Sequence, residues 1–240
     1  MKSVLILFVS LISYSAKAQR TLTLKDPNAQ ERLLSSDFHA IQVSAGIDLI
    51  LDQADKAQVA VSYSDEKYAD KFKTVVEDGV LKIYFDADAV NWGSNQKRQL
   101  KAYVSFVTLD KLDVSAGATV KLPLLVTVSE LDIRLTSGSD FNGAIHAEKL
   151  MIEATSGAVM EISGKTGFLD VSVNSGASFK GYELEALTCD AKATSGGRIK
   201  VNIGQEMNAR ANSGGSINYK GNGVVKDINV NSGGVVKKSS

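Results

Sequence analysis

From residue 110 onward the chain alternates apolar and polar positions, and the alternating stretches themselves recur. They run Leu112-Asp113-Val114, Ile133-Arg134-Leu135, Ile152-Glu153-Ala154, Val171-Ser172-Val173, Ala191-Lys192-Ala193, Ala209-Arg210-Ala211 and Ile228-Asn229-Val230. A period of two puts apolar side chains on one face of a strand and polar ones on the other, so each copy predicts a half-buried strand. Each is followed by a tripeptide ending in glycine: Ser115-Ala116-Gly117, Thr136-Ser137-Gly138, Thr155-Ser156-Gly157, Asn174-Ser175-Gly176, Thr194-Ser195-Gly196, Asn212-Ser213-Gly214 and Asn231-Ser232-Gly233. Three residues past each glycine stands another apolar residue: Val120, Phe141, Met160, Phe179, Ile199, Ile217 and Val236. A second short strand is therefore expected just beyond each corner.

The unit returns about every 19 residues, too short for strand–helix–strand crossovers and suited to the coils of a solenoid. The expected fold class is all-β: a right-handed parallel β-helix of about 19-residue coils with a β-rich N-terminal half. The hand follows from the strong bias of parallel crossovers. Apolar columns should stack into one continuous core. Glycine accepts the positive φ of a sharp corner, and the Ser, Thr and Asn beside it can bond to turn backbone. The last unit, residues 232–240, reads as a half coil whose strand caps the stack. Lys237 and Lys238 then place charge on its edge, which discourages further pairing.

The period weakens upstream. IQVSAG (41–46) is an earlier cousin of the repeat, and Ile47, Leu49 and Leu51 alternate after it. VAVSY (59–63) and LKAYVSFV (100–107) read as strands, and DEKYADKF (65–72) as a short helical turn. KTVVEDGVLKIYF (73–85) reads as a hairpin about Asp78-Gly79. DADAVNWGSNQKRQ (86–99) reads as a polar loop. The expected organisation is thus a signal peptide (1–18), a polar lead-in (19–37), a β-rich N-terminal half (38–110) and β-helix repeats with a C-terminal half-coil cap (111–240).

The N-terminus carries the export signal. Lys2 precedes an apolar run from Val4 to Ile12, too short to span a bilayer, and Ala16-Lys17-Ala18 is a small-residue cleavage site. The expected localisation is exported: periplasm, outer cell surface or secreted. The chain has 27 basic and 27 acidic residues, and cleavage would remove Lys2 and Lys17. That near-neutral balance argues against nucleic acid as a partner. One cysteine, Cys189, allows no internal disulfide in an exported chain.

FHAIQVSAGIDLIL (38–51), VEDGVLKIYF (76–85) and the train of Ser-Gly units ending in SGGVVKK resemble the head GIN domain family of putative auto-transporter adhesins. The resemblance covers roughly residues 38 to 237. It implies a β-helical fold, export and an adhesin role, and it transfers no catalytic or binding residues.

Candidate chemistry is sparse. Cys189 shares a column with Leu131, Leu150, Leu169 and Met207, the place of a buried hydrophobe and not of a nucleophile. His39 and His146 are far apart and lack ligand spacing, so no metal site and no cofactor are expected. Outward columns mix signs, as in Arg134, Glu153 and Lys192, or Lys121, Glu161, Lys180 and Lys200. A solvated face explains such mixing better than a catalytic one. The candidate ligand-binding residues are Trp92, Asn95, Lys97 and Arg98, which join an aromatic platform to hydrogen-bond donors. The expectation is an exported, non-enzymatic, adhesin-like protein that binds a glycan or a cell-surface or matrix protein. The alternatives are a polysaccharide-active lyase or hydrolase on the same fold, and an envelope structural or assembly protein.

Overall fold

The computed structural model describes residues 26–86 and 98–239. The stretch read as a signal peptide (1–18) and Trp92, Asn95 and Lys97 lie outside the described residues. Strand makes up 65% of the chain, and the described residues hold no α-helix.

The N-terminal strands are β1 (Gln30–Arg32), β2 (Ala40–Val43), β3 (Asp48–Gln53), β4 (Gln58–Tyr63), β5 (Phe72–Glu77), β6 (Val80–Phe85) and β7 (Leu100–Phe106). The coils follow as β8 (Lys111–Val114), β9 (Thr119–Lys121), β10 (Val126–Leu135), β11 (Asp140–Ala154), β12 (Val159–Val173), β13 (Ser178–Ala193) and β14 (Arg198–Ala211). The last coil region holds β15 (Ser216–Lys220), β16 (Val224–Val230) and β17 (Val235–Lys238). All 17 strands belong to one sheet. From β8 onward every pairing is parallel, and the stack forms a β-solenoid of about 7 turns.

The columns read from sequence are the columns of the core. Leu131, Leu150, Leu169, Cys189 and Met207 stand in register on successive coils, and all are buried. So do Val120, Phe141, Met160, Phe179, Ile199 and Ile217. Removing each large side chain from water is worth roughly 1.5–3 kcal/mol. Repetition down the columns gives a core without disulfides.

Each corner is sharper than its glycine alone would make it. The residue before the glycine also has positive φ: +50° at Ser175, beside +73° at Gly176. Positive φ at both central positions defines a type I′ turn, which Ala177 N–H closes onto Asn174 C=O at 3.1 Å. Gly176 N–H is then free to donate to Ser195 C=O of the next coil, at 3.1 Å. The same two bonds recur at the corners from Gly117 to Gly214, so the turns form their own ladder. The residue after the corner glycine faces inward and is small: Ala118, Ser139, Ala158 and Ala177, then Gly197 and Gly215. At Gly197 a Cβ would collide with the Val173 carbonyl of the preceding coil. Ser139, fully buried, donates its hydroxyl to Val114 C=O at 3.1 Å.

The N-terminal half closes one end of this stack. β2, the Ala45-Gly46 corner and β3 form a coil that lies beside β8 and β9, with Ile41 on Leu112, Val43 on Val114 and Leu49 on Val120. Gly46 N–H donates to Ala116 C=O at 3.0 Å, as the corner glycines from Gly117 to Gly214 do to their next coils. One layer further out, β6 lies on β2 and β7 on β3, still parallel. Beyond them pairing turns antiparallel: β5 on β6 through the Asp78-Gly79 turn, β4 on β7, and β1 on β4. A switch from crossovers to hairpins is why the period fades between residues 59 and 109. The helical turn read at 65–72 is a 3₁₀ turn at Glu66–Tyr68, capped by Asp65. Gln30–Arg32 is a strand, within the stretch read as lead-in.

Where β9 has ended, Thr127 of β10 has no strand on its N-terminal side. The Gln53 amide replaces one. Its Nε2 donates to Thr127 C=O at 2.9 Å, and its Oε1 accepts from Thr127 N–H at 3.0 Å.

The far end differs from the expected cap. β17 pairs with β15, and Lys237 and Lys238 are exposed as anticipated. Yet Ile228 and Val230 remain 52% and 43% exposed, although they continue buried columns. Stacking covers a terminal coil from one side only.

Candidate functional site

Of the four residues singled out around Trp92, the described structure places one. Arg98 is exposed, with its guanidinium 4.3 Å from the centre of the Phe85 ring. That position ties the end of the loop to the last residue of β6 by a cation–π contact.

The outward charges form ion pairs that bridge coils. Arg134 Nε donates to Glu153 at 3.0 Å, and Lys180 meets Glu161 at 3.5 Å. Lys165 and Glu185 pair at 3.5 Å, and Lys226 and Glu206 at 2.7 Å. Exposed pairs of this kind add little stability, but they fix the side chains that make up the surface. A neighbouring column, which starts at Lys111, carries only acidic charge from β10 onward. Asp132, Met151, Asp170, Asp190, Asn208 and Asp227 stand in register, so Asp170 and Asp190 are adjacent like charges. Partial burial, then Asp190, push the Asp170 carboxyl above the usual aspartate range, against a smaller opposing pull from Lys149. Cys189 lies on the inner side of that strand, 2% exposed. Burial drives its thiol far above the ordinary value, and Asp190 and Asp170 add to the effect, so it has no thiolate character.

Two grooves cross the coils. The first, of about 550 Å³, is lined by Thr127, His146, Glu148, Lys165, Glu185 and the exposed Leu187, among others. The second, of about 390 Å³, crosses β11, β12, β13 and β14 just past their corners. Its floor is small by necessity. A Cβ at Gly143 would strike the Leu122 side chain, and Ala144 and Ser163 follow beside it. Its wall is the column Asn142, Glu161, Lys180 and Lys200. Tyr182 and Glu183 stand at one end on a bulge of β13. There the register slips by one residue against β12 and by more against β14. Such slips re-aim side chains that a regular strand would point elsewhere.

Tyr182 is half-buried, and its hydroxyl lies 2.6 Å from Ser239 Oγ. The Lys200 and Lys220 ammonium groups sit 5.6 and 5.4 Å from its ring centre. Lys220 also pairs with Glu183 at 3.3 Å. Sequence reasoning passed over Tyr182. Its signal was the spacing from Gly176 to Gly196, one residue longer than the two coils before it. Among the described residues, no cluster of three or more His, Cys, Asp or Glu side chains could hold a metal ion. Nor is any helix among them long and apolar enough to cross a membrane.

With this geometry in place, comparison with known proteins is informative. Residues 37–223 match the family described as "Putative auto-transporter adhesin, head GIN domain". The chain belongs to this family. Among solved structures, a putative adhesin from Bacteroides fragilis superposes with a TM-score of 0.79 at 17% identity, covering 88% of this chain and 96% of that one. A putative adhesin from Parabacteroides merdae gives 0.68 at 17% identity, with 90% and 98% covered. A protein from Parabacteroides distasonis described as a putative lipid binding protein gives 0.65 at 20% identity, with 88% and 96% covered. At these identities the likeness concerns the fold. No curated protein matches the chain.

Proposed function

We propose that this chain is an exported, non-enzymatic binding module, an adhesin that presents the flank of a stiff solenoid to a glycan or protein partner. The observation that carries the reading is the Tyr182 groove. An aromatic ring re-aimed by a bulge, hydrogen-bonding side chains and paired charges line a cleft that crosses several coils. Family membership supports the same reading. Trp92, Asn95, Lys97 and Arg98 are proposed as a second set of contact residues. An enzyme of this architecture would place its carboxylates in a cleft. Carboxylates do line both grooves, but Glu185, Glu161 and Glu183 are each held by a lysine, and the adjacent pair Asp170 and Asp190 lies outside both.

The test uses the exported chain on an array of glycans and matrix proteins, read for both retention and cleavage. Retention without cleavage, lost in Tyr182→Ala or Trp92→Ala, supports the reading and locates the contact. Cleavage of any ligand overturns its non-enzymatic part. Silence throughout, with assemblies seen by light scattering, would favour an envelope structural role.

A further inference from the structure

The Tyr182 groove has a polarity that the composition conceals. Basic and acidic residues are equal in number over the chain, yet the flank that carries this groove is basic toward the C-terminal coils. Lys180, Lys200 and Lys237 share the outward column there, with Asn218 between the last two. Arg198 and Lys238 are exposed beside them, and Lys220 leans over Tyr182. The acidic column of Asp132, Asp170, Asp190 and Asp227 runs along the strands on the other side of the corner. Two ammonium groups therefore flank one aromatic ring on a locally positive surface.

Lys180 and Lys220 are held by Glu161 and Glu183, but Lys200 forms no ion pair among the described residues. An arriving anion would meet Lys200 directly and could take the place of Glu183 at Lys220. A tyrosine ring can also carry the apolar C–H face of a sugar. The basic groups repeat at coil spacing, about 4.8 Å per step, which suits a ligand with regularly spaced charges. A single small anion would use only one step of the groove. We propose that this groove takes an extended anionic polysaccharide, its carboxylate or sulfate groups held by Lys200 and Lys220 while one sugar ring packs on Tyr182. The inference rests on the binding-module reading above and names the class of ligand for that site.

The experiment measures retention of the exported chain on polygalacturonate, dextran sulfate and unmodified dextran at about 0.15 M salt, where exposed charges more than about 8 Å apart are largely screened. At least one anionic polymer is retained and plain dextran is not; the polymer bound more tightly identifies carboxylate or sulfate as the recognised group. Tyr182→Ala weakens binding about tenfold or more, as for a central aromatic anchor. Lys200→Gln weakens it about threefold and flattens the salt dependence. Tyr182→Phe removes the bond to Ser239 but keeps the ring, so it retains binding and separates recognition from folding. Equal retention of plain dextran would overturn the inference, as would anionic binding indifferent to Tyr182→Ala, or no binding to any of the three. If the wider array still shows retention of a neutral glycan or a protein, the binding-module reading survives and only the ligand class falls.

Discussion

Glycine serves the corners for two different reasons, and substitution should tell them apart. Gly176 has φ +73° and nothing within 4 Å of an added Cβ, so only backbone conformation requires it. Gly197 has no positive φ, yet an added Cβ would strike the Val173 carbonyl. Gly176→Ala should cost about 1–2 kcal/mol, and Gly176→Asn less, because asparagine tolerates the left-handed region. Gly197→Ala should cost about 3 kcal/mol through overpacking, with no relief from asparagine. Urea unfolding midpoints of the four variants decide it; equal losses in all four would sink the distinction. The corner glycines were legible because a Ser-Gly pair at constant spacing is a local signal. The left-handed Ser175 and the close approach at Gly197 were not, since both depend on where the adjacent coil's backbone lies.

At the level of the strand, stacking turns a sequence column into a line of neighbours. Alternation alone showed Asp170 and Asp190 as outward; parallel register makes them adjacent. Partial burial first, and the Asp190 charge second, raise the folded-state pKa of Asp170 above its ordinary value of 3.8. The folded state binds that proton more tightly, so the favourable contribution is complete below the unfolded pKa and is lost as pH rises through the folded one. Asp170→Asn should therefore raise the unfolding midpoint at neutral pH, and the gain should shrink to nothing as pH falls below about 3.8. A gain independent of pH would mean that the like-charge pair is not its source. Cys189, next to Asp190 on β13, shows the opposite degree of legibility. Its column of Leu and Met partners announced burial in advance, because a parallel stack places like on like.

For the whole molecule, a solenoid is held by contacts between successive coils, so stability should vary along its axis. β11 to β14 are covered on both sides. β16 and β17 are covered on one side and leave Ile228, Val230 and Val235 exposed. Amide hydrogen exchange should be slowest in β11–β13 and fastest in β16–β17. Uniform protection from end to end would contradict nearest-neighbour stacking as the source of stability. The charge pattern also belongs to this scale. Columns read one at a time look mixed, while the folded flank around Tyr182 is basic and the neighbouring Asp column is acidic.

What the sequence determined by itself is the repeating coil. Period-two alternation and glycine corners are properties of consecutive residues, and their recurrence leaves a parallel stack as the arrangement that buries every apolar column. Only the tertiary structure decided that residues 40–53 form a coil against residues 111–121, that antiparallel ribbons close that end, and that Gln53 stands in for a missing strand at Thr127. It alone placed Tyr182 beside two lysines from later coils. These features join residues distant in the chain, and a pairing across such distances is set by the register of the folded backbone, which no local pattern encodes.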